Sequence, residues 1–303
     1  MAAGGSETCS QGGDNPSVAE RIHRRLDQLT RAERKPARVL LANYPLAGLD
    51  PLAEFAGRAG VSHPTILRFV AKLGFSGYPP FQATLRDELK ARLKSPLAKR
   101  GPPEALPAGA GQQDFLSRFA DAVCDNIRQS IAALPRAEFD AVLTLLADTG
   151  NTVYVLGGRF TDAIATYFYR HLRVLRARVQ HVTGPPVSWS EYLLDMDRDA
   201  VLVVFDVRRY QDEVVQFAAE AAGRGACVLL VTDQWLSPIA SAARHVLAMR
   251  IEVPSNWDSA GALTALAEAL IAALSNRHWG RFETRIRELE GLRARVGGQG
   301  AVD

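Results

Sequence analysis

The chain has 303 residues, of which 47% are hydrophobic and 23% charged, and a formal net charge of +3. This length suggests two domains, each with its own core. No run of about eighteen apolar residues is available to span a bilayer, and the start, MAAGGSETCSQGGDNPS, lacks the basic and apolar regions of a signal peptide, so a cytoplasmic protein with a disordered tail over residues 1–15 is expected. The cysteines Cys9, Cys124 and Cys227 stand far apart in no metal-like spacing, which speaks against a disulfide frame and against a metal site. Charge is unevenly placed. Residues 16–100 hold 16 Lys and Arg against 7 Asp and Glu, or +9, while residues 1–15 sum to −2 and residues 101–303 to −4. A basic N-terminal third suits a surface that meets phosphates, although a solvated basic face has the same composition.

From Ser17, the segment ERIHRRLDQLTRAERKPARVLLANYPLAGL reads as two helices joined at Leu29-Thr30. Thr30 and Glu33 have capping-box spacing, and Pro36 is expected to distort the second helix. Ile22, Leu26, Leu29, Val39 and Leu40 form an apolar support for the next pair of helices. The stretch Leu52 to Phe75 places apolar or small residues at Leu52, Phe55, Ala56, Ala59, Val61, Ile66, Phe69 and Leu73, the spacing of two short helices that bury one stripe each. Gly60 sits where a left-handed residue ends the first helix, Ser62 can cap the second, and Pro64 lies in its first turn. The polar face of the second helix then presents Ser62, His63, Thr65, Leu67, Arg68 and Lys72, the position from which a helix-turn-helix reads the DNA major groove. An ordinary helical hairpin is the plainer alternative. A turn at residues 76–80 leads into a last helix from Phe81 to about Leu93, which gives an all-helical domain over residues 16–93.

Residues 94–113, KSPLAKRGPPEALPAGAGQQ, read as a mobile linker. Beyond it, helical stretches alternate with the apolar runs Thr152 to Leu156, Val179 to Val182, Ala200 to Phe205, Ala226 to Val231 and His245 to Ala248. Such alternation indicates a doubly wound parallel α/β domain, here over residues 114–290, with a fraying tail at 291–303. Ligands of this architecture sit beyond the carboxyl ends of the strands. The candidates there are Gly157, Gly158, Arg159 and Thr161 after the first strand, Asp206, Arg208, Arg209 and Tyr210 after the third, and Thr232 and Asp233 after the fourth. The glycine turn is GGRFTDA and the second strand ends in His181-Val182 without an acid, so the dinucleotide fingerprint is absent and no cofactor is expected. Backbone N–H groups, Arg159 and the Thr161 hydroxyl suit an anionic or polyhydroxylated ligand; equally, the glycines can serve only a tight turn and Thr161 only a cap. Trp257 can stack on a ring face or fill the core, and Asp258 can close the pocket or pair with Ser255 as a cap of the final helix.

The segments LTRAE at 29–33, GVSHPTILRFVAKLGFSGY at 60–78, VYVLGGRFTDAIA at 153–165, RRY at 208–210 and TDQWLSPIASAA at 232–243 together resemble the RpiR/MurR family of bacterial transcriptional regulators. The resemblance implies a helix-turn-helix domain that binds double-stranded operator DNA, and a flavodoxin-like SIS (sugar isomerase) domain that senses a phosphosugar or related carbohydrate-derived metabolite. It also implies homo-oligomers that associate through the SIS domains. Thr161 matches the hydroxyl expected near the start of the helix after the first strand. Asp206 stands where such domains often have Ser, and a carboxylate facing a phosphate is repulsive unless paired. Arg208 or Arg209 is the expected partner, and Asp206 is then free to accept bonds from sugar hydroxyls. The alternative is a sugar-phosphate isomerase with an accessory helical domain, for which Glu268 or His181 is the available base and no other catalytic residue stands out. The apolar stripe Leu263, Leu266, Leu270, Ile271 and Leu274 suits a subunit interface as well as a core.

Overall fold

The computed structural model describes residues 16–93, Lys99 and residues 112–296. The expected tail at 1–15, the end of the chain past 296 and most of the expected linker lie outside these residues. Among the described residues, the α-helices of the N-terminal half are α1 (Val18–Arg25), α2 (Arg34–Ala42), α3 (Leu52–Ala59), α4 (His63–Lys72) and α5 (Tyr78–Leu93). A capping box opens α1, with Ser17 Oγ accepting from the Glu20 N–H and the Glu20 carboxylate accepting from the Ser17 N–H at 2.7 Å. Pro36 brings no distortion. Because α2 begins at Arg34, Pro36 lies in its first turn, where a missing N–H breaks no intrahelical bond. For the same reason Pro79 and Pro80 are accommodated in the first turn of α5, which begins three residues before Phe81, the start predicted from the sequence. Gly60 ends α3 with φ of 58°, as the sequence predicts.

The C-terminal half comprises α6 (Gln112–Ala133), α7 (Arg136–Ala147), β1 (Thr152–Gly157), α8 (Asp162–Leu175), β2 (Val179–His181), α9 (Ser190–Leu194), β3 (Ala200–Asp206), α10 (Asp212–Gly223), β4 (Cys227–Asp233), β5 (His245–Met249), α11 (Gly261–Arg277) and α12 (Trp279–Val296). The strands form one parallel sheet in the order β2-β1-β3-β4-β5. Alternate residues serve opposite faces. Val201, Val203 and Phe205 pack toward α7, α8 and α11, whereas Leu202 and Val204 pack toward α10. Leu263, Leu266, Leu270 and Leu274 are buried in the first of these cores, so the stripe that could have served a subunit interface is taken up within the chain. Residues 291–296, expected to fray, continue α12.

The two halves share an interface. Leu236, from the loop after β4, is buried in the core of the helical half, the loop packs on α2, and Ala240, Val246 and Ala248 pack against that core. The sequence predicts a helical domain that reorients on a linker; the structure has a packed interface with the end of the sheet at β4 and β5.

Candidate functional site

Two sites can be built from the residues upward. On the helical half, α4 packs on α2, α3 and α5. Its C-terminal carbonyls are held by α1: Arg21 Nη1 donates to the Leu73 carbonyl at 3.4 Å and Arg25 to that of Lys72. Cations at a helix C-terminus also complement its dipole. On the free face, Ser62, His63, Leu67 and Arg68 are exposed, with Leu67 at 44%. Thr65 is not on that face. It is 6% exposed, its Oγ1 lies 3.1 Å from Ser62 Oγ, and it accepts from Arg68 Nη2 at 3.2 Å. Ser62 has the extended backbone of a cap, but its hydroxyl turns to Thr65 and makes no cap bond. Lys72 is half-committed: its Nζ pairs with Glu33 Oε2 at 2.7 Å and donates to the Gln28 carbonyl at 3.1 Å. Burial alone would raise the Glu33 carboxyl; hydrogen bonds from Lys72 and Thr30 outweigh it and hold the group below its ordinary value. Arg21 and Arg25 escape sequence reasoning because an i-to-i+50 contact leaves no periodic signal.

The second site lies where the strand order reverses between β1 and β3, the switch point of an open parallel sheet. The Gly157 position is dictated by close approach, since a Cβ there would lie 2.4 Å from Asp162 Cα and 2.5 Å from Asp162 N. The backbone of α8 thereby meets the strand end directly. Thr161 is buried and staples the turn, accepting from the Gly158 N–H at 2.8 Å and donating to the Phe205 carbonyl at 2.5 Å. The Arg159 N–H donates to Gln211 Oε1 at 2.5 Å.

Beside these turns is a cavity of about 200 Å³, lined by Thr161, Arg208, Arg209, Trp257 and Asp258 among the predicted residues. Lys99, Phe160, Val207, Ile251, Asn256, Ser259, Ala260 and Leu263 complete it. Trp257 is 59% exposed and packs edge-on to Phe160 at 6.0 Å, so it rims the cavity and does not fill the core. Ser255 and Asp258 do not cap α11, which starts at Gly261. Asp258 instead receives Arg208 Nε at 2.6 Å and Lys99 Nζ at 2.6 Å. Burial alone would raise its carboxyl, but Arg208 and Lys99 hold it below the ordinary value.

Gly157, Gly158, Arg159, Asp206, Tyr210, Thr232 and Asp233 do not line this cavity. The acids form a buried network behind it. Asp206 is 2% exposed and accepts from Ser237 Oγ at 2.5 Å. Asp233 accepts from the Arg208 N–H at 2.5 Å, the Trp235 N–H at 2.9 Å and the Tyr210 hydroxyl at 2.7 Å. Burial, reinforced by the nearby Asp233 charge, pushes the Asp206 carboxyl up to about 7 despite the Ser237 bond. Burial also raises Asp233, to about 6 against its three donors. The expected pairing of Asp206 with Arg208 is therefore replaced by a bond from Ser237, while the Arg208 guanidinium turns to Asp258 and lies 4.3 Å over the Trp235 ring. From the helical half, the Arg92 guanidinium lies 4.5 Å over the Tyr210 ring. Among the described residues, no group of three or more His, Cys, Asp or Glu is placed to hold a metal.

The arrangement defines the class: a helical half containing a helix-turn-helix, docked on an open parallel α/β domain with a cavity at its switch point. Family models match both halves, the helix-turn-helix domain of the rpiR family over residues 17–92 and the SIS domain over residues 145–273. The chain has the architecture of the RpiR family of transcriptional regulators. It is 27% identical over 247 residues to the HTH-type transcriptional regulator HexR of Pseudomonas aeruginosa, covering 80% of this chain and 81% of that protein. Its fold is similar to the sugar isomerase domain of an RpiR transcription factor from Sphaerobacter thermophilus, with a TM-score of 0.55 and 24% identity over 59% of this chain and 99% of that one. It is also similar to Vibrio vulnificus NanR, solved with ManNAc-6P, with a TM-score of 0.53 and 13% identity over 93% of this chain and 100% of that one. No helix among the described residues is long and apolar enough to cross a membrane.

Proposed function

We propose that this regulator binds operator DNA through the exposed face of α4, and that a carbohydrate-derived effector in the cavity at the β1/β3 switch point controls that binding. The observation that carries this reading is the placement of α5. Its C-terminal residues Ala91 and Arg92 contact Arg208 and Tyr210 at the strand ends, and its body packs on α4. A ligand that alters the strand-end loops therefore acts on the element that supports the DNA-reading helix. His63, Leu67 and Arg68 supply base and phosphate contacts, Thr65 orients Arg68, and two copies paired through the α/β domain present two such helices to related half-sites. NanR was solved with a sugar phosphate, which supports the choice of ligand class.

Isomerisation of a sugar requires a base within reach of the proton it removes. Glu268 is exposed on α11 and accepts from Tyr167, and His181 Nε2 lies 2.9 Å from Asp162 Oδ1; neither lines the cavity. We therefore favour a sensor over an enzyme. The test is selection of duplexes from a random pool by the full chain, followed by titration of a bound duplex with sugars, sugar phosphates and sugar acids. Ligand-dependent change in duplex affinity without turnover supports the regulator. Turnover of a sugar phosphate would instead establish the isomerase.

A further inference from the structure

The cavity contains an ion cluster assembled from three parts of the chain. Arg208 follows β3, and its side chain is only 2% exposed. Its guanidinium grips the Asp258 carboxylate in a fork, with Nε 2.6 Å from Oδ2 and Nη2 on Oδ1. Its third nitrogen, Nη1, donates to the Ala91 carbonyl of α5 at 3.0 Å. Lys99, beyond the end of α5, reaches Asp258 Oδ1 at 2.6 Å and is itself 12% exposed. Glu252 Oε1 stands 3.6 Å from Arg208 Nη2 and is half exposed.

The cations and the acid differ in how they are held. Arg208 is fixed by its bond to Ala91 and by the Trp235 ring beneath it. Asp258 belongs to the segment 250–260, which has no helix or strand, and it adjoins the exposed Trp257 at the cavity rim. What Asp258 offers the cations is a planar pair of oxygens with a negative charge, the same feature that a carboxylate or phosphate on a small molecule presents to a guanidinium.

We propose that Arg208 of the α/β domain and Lys99, from the segment that follows α5, form an acid-binding subsite, that Asp258 fills it when no effector is bound, and that a carboxylate or phosphate of the effector takes its place. The proposal rests on the reading of the cavity as the effector site, and adds the residues that take the ligand's acid group, the internal acid that it displaces and the route by which its arrival is felt. Exchange of one acid for another keeps the buried guanidinium paired, whereas stripping it of any partner would be strongly unfavourable. A neutral sugar cannot make this exchange and leaves the Asp258 bonds in place. Displacement of Asp258 frees the segment that carries Trp257. It also re-aims a guanidinium whose remaining bond is to the last turn of α5.

Replacing Asp258→Asn keeps the shape of the internal ligand and removes its charge. Calorimetric titration of the full chain with D-gluconate and D-glucose 6-phosphate, set against D-glucose and sorbitol, should show the acids binding at least tenfold more tightly to D258N than to the wild type. The neutral compounds should be unaffected. Lys99→Met, at a residue outside the three hydrophobic cores, should fold normally and weaken the acids alone. It decides the matter if D258N proves poorly folded by circular dichroism. Equal acid affinity in D258N and wild type, or an unchanged acid preference in K99M, overturns the subsite while leaving sugar sensing intact. Failure of all four compounds to bind any of the three proteins overturns both.

Discussion

Glu20 of α1 and Arg250, just past β5, meet as a two-pronged buried ion pair, with Oε1 to Nε and Oε2 to Nη2 both at 2.8 Å. The same Glu20 carboxylate closes the capping box of α1, so one side chain both starts a helix and fastens the two halves together. Glu20→Ala removes the cap bond and leaves a buried guanidinium without its main acid, a loss of about 3–5 kcal/mol. Urea unfolding of the variant should show that fall. The double variant Glu20→Met with Arg250→Met should recover much of it, because apolar replacement of both partners spares the desolvation cost.

Arg68→Ala should weaken duplex binding by roughly ten- to a hundredfold, the range of about 1–3 kcal/mol for a lost bidentate base contact. Thermal stability should hardly move, since Arg68 is exposed and Ala is a good helix former. Lys72→Ala should show a smaller effect in anisotropy titrations, because Lys72 Nζ is engaged by Glu33 and the Gln28 carbonyl. Thr65→Val should reproduce part of the Arg68 defect through loss of the bond that aims the guanidinium. Equal affinity of R68A and wild type would remove α4 Arg68 from the reading face.

The Asp206 carboxyl, at an ordinary value of 3.8 when free and about 7 here, binds its proton more tightly in the folded chain than in the unfolded one. A carboxyl raised on folding contributes stability that is complete below the unfolded value and is lost as pH rises through the folded value. Between pH 5 and pH 8 the wild type should therefore lose thermal stability that Asp206→Asn, uncharged throughout, retains. The difference in melting temperature between variant and wild type should widen in favour of the variant across that window. Parallel curves would mean that Asp206 is ionised in the fold.

Gly157→Ala places a methyl group against the backbone of Asp162, which cannot move aside as a flexible side chain would. A loss of about 1–3 kcal/mol is expected in denaturant melts. Gly57, within α3, has nothing within 4 Å of where a Cβ would stand, and Gly57→Ala should stabilise by roughly 0.5–1 kcal/mol. The opposite signs separate a glycine required by contact from one that is only tolerated.

Local features are legible in the sequence. Parallel strands buried on both faces read as continuous apolar runs, and each of the five predicted runs overlaps a strand. The turn at Gly60 and the start of α4 are likewise set by neighbours in sequence. Features that depend on distant partners stay hidden. Ser255 and Asp258 have the spacing of a cap, yet Arg208, fifty positions away, claims the Asp258 carboxylate. Thr65 has the composition of a surface residue and the location of a buried one. Lys99 sits in a stretch that reads as featureless linker, and its place in the cavity comes only from tertiary proximity to Asp258. Asp206 does stand at a strand end, but its partner Ser237 comes from the loop after another strand.

Leu236 lies within the hydrophobic core of the helical half although it belongs to the sheet domain. The boundary drawn by chain order is thus not the boundary drawn by packing. Transplanting residues 16–93 onto an unrelated sensor would leave the socket for Leu236 empty and the Glu20 carboxylate without Arg250. A functional chimera should need the 232–250 segment to travel with the helices, so the exchangeable unit of this architecture is a discontinuous one.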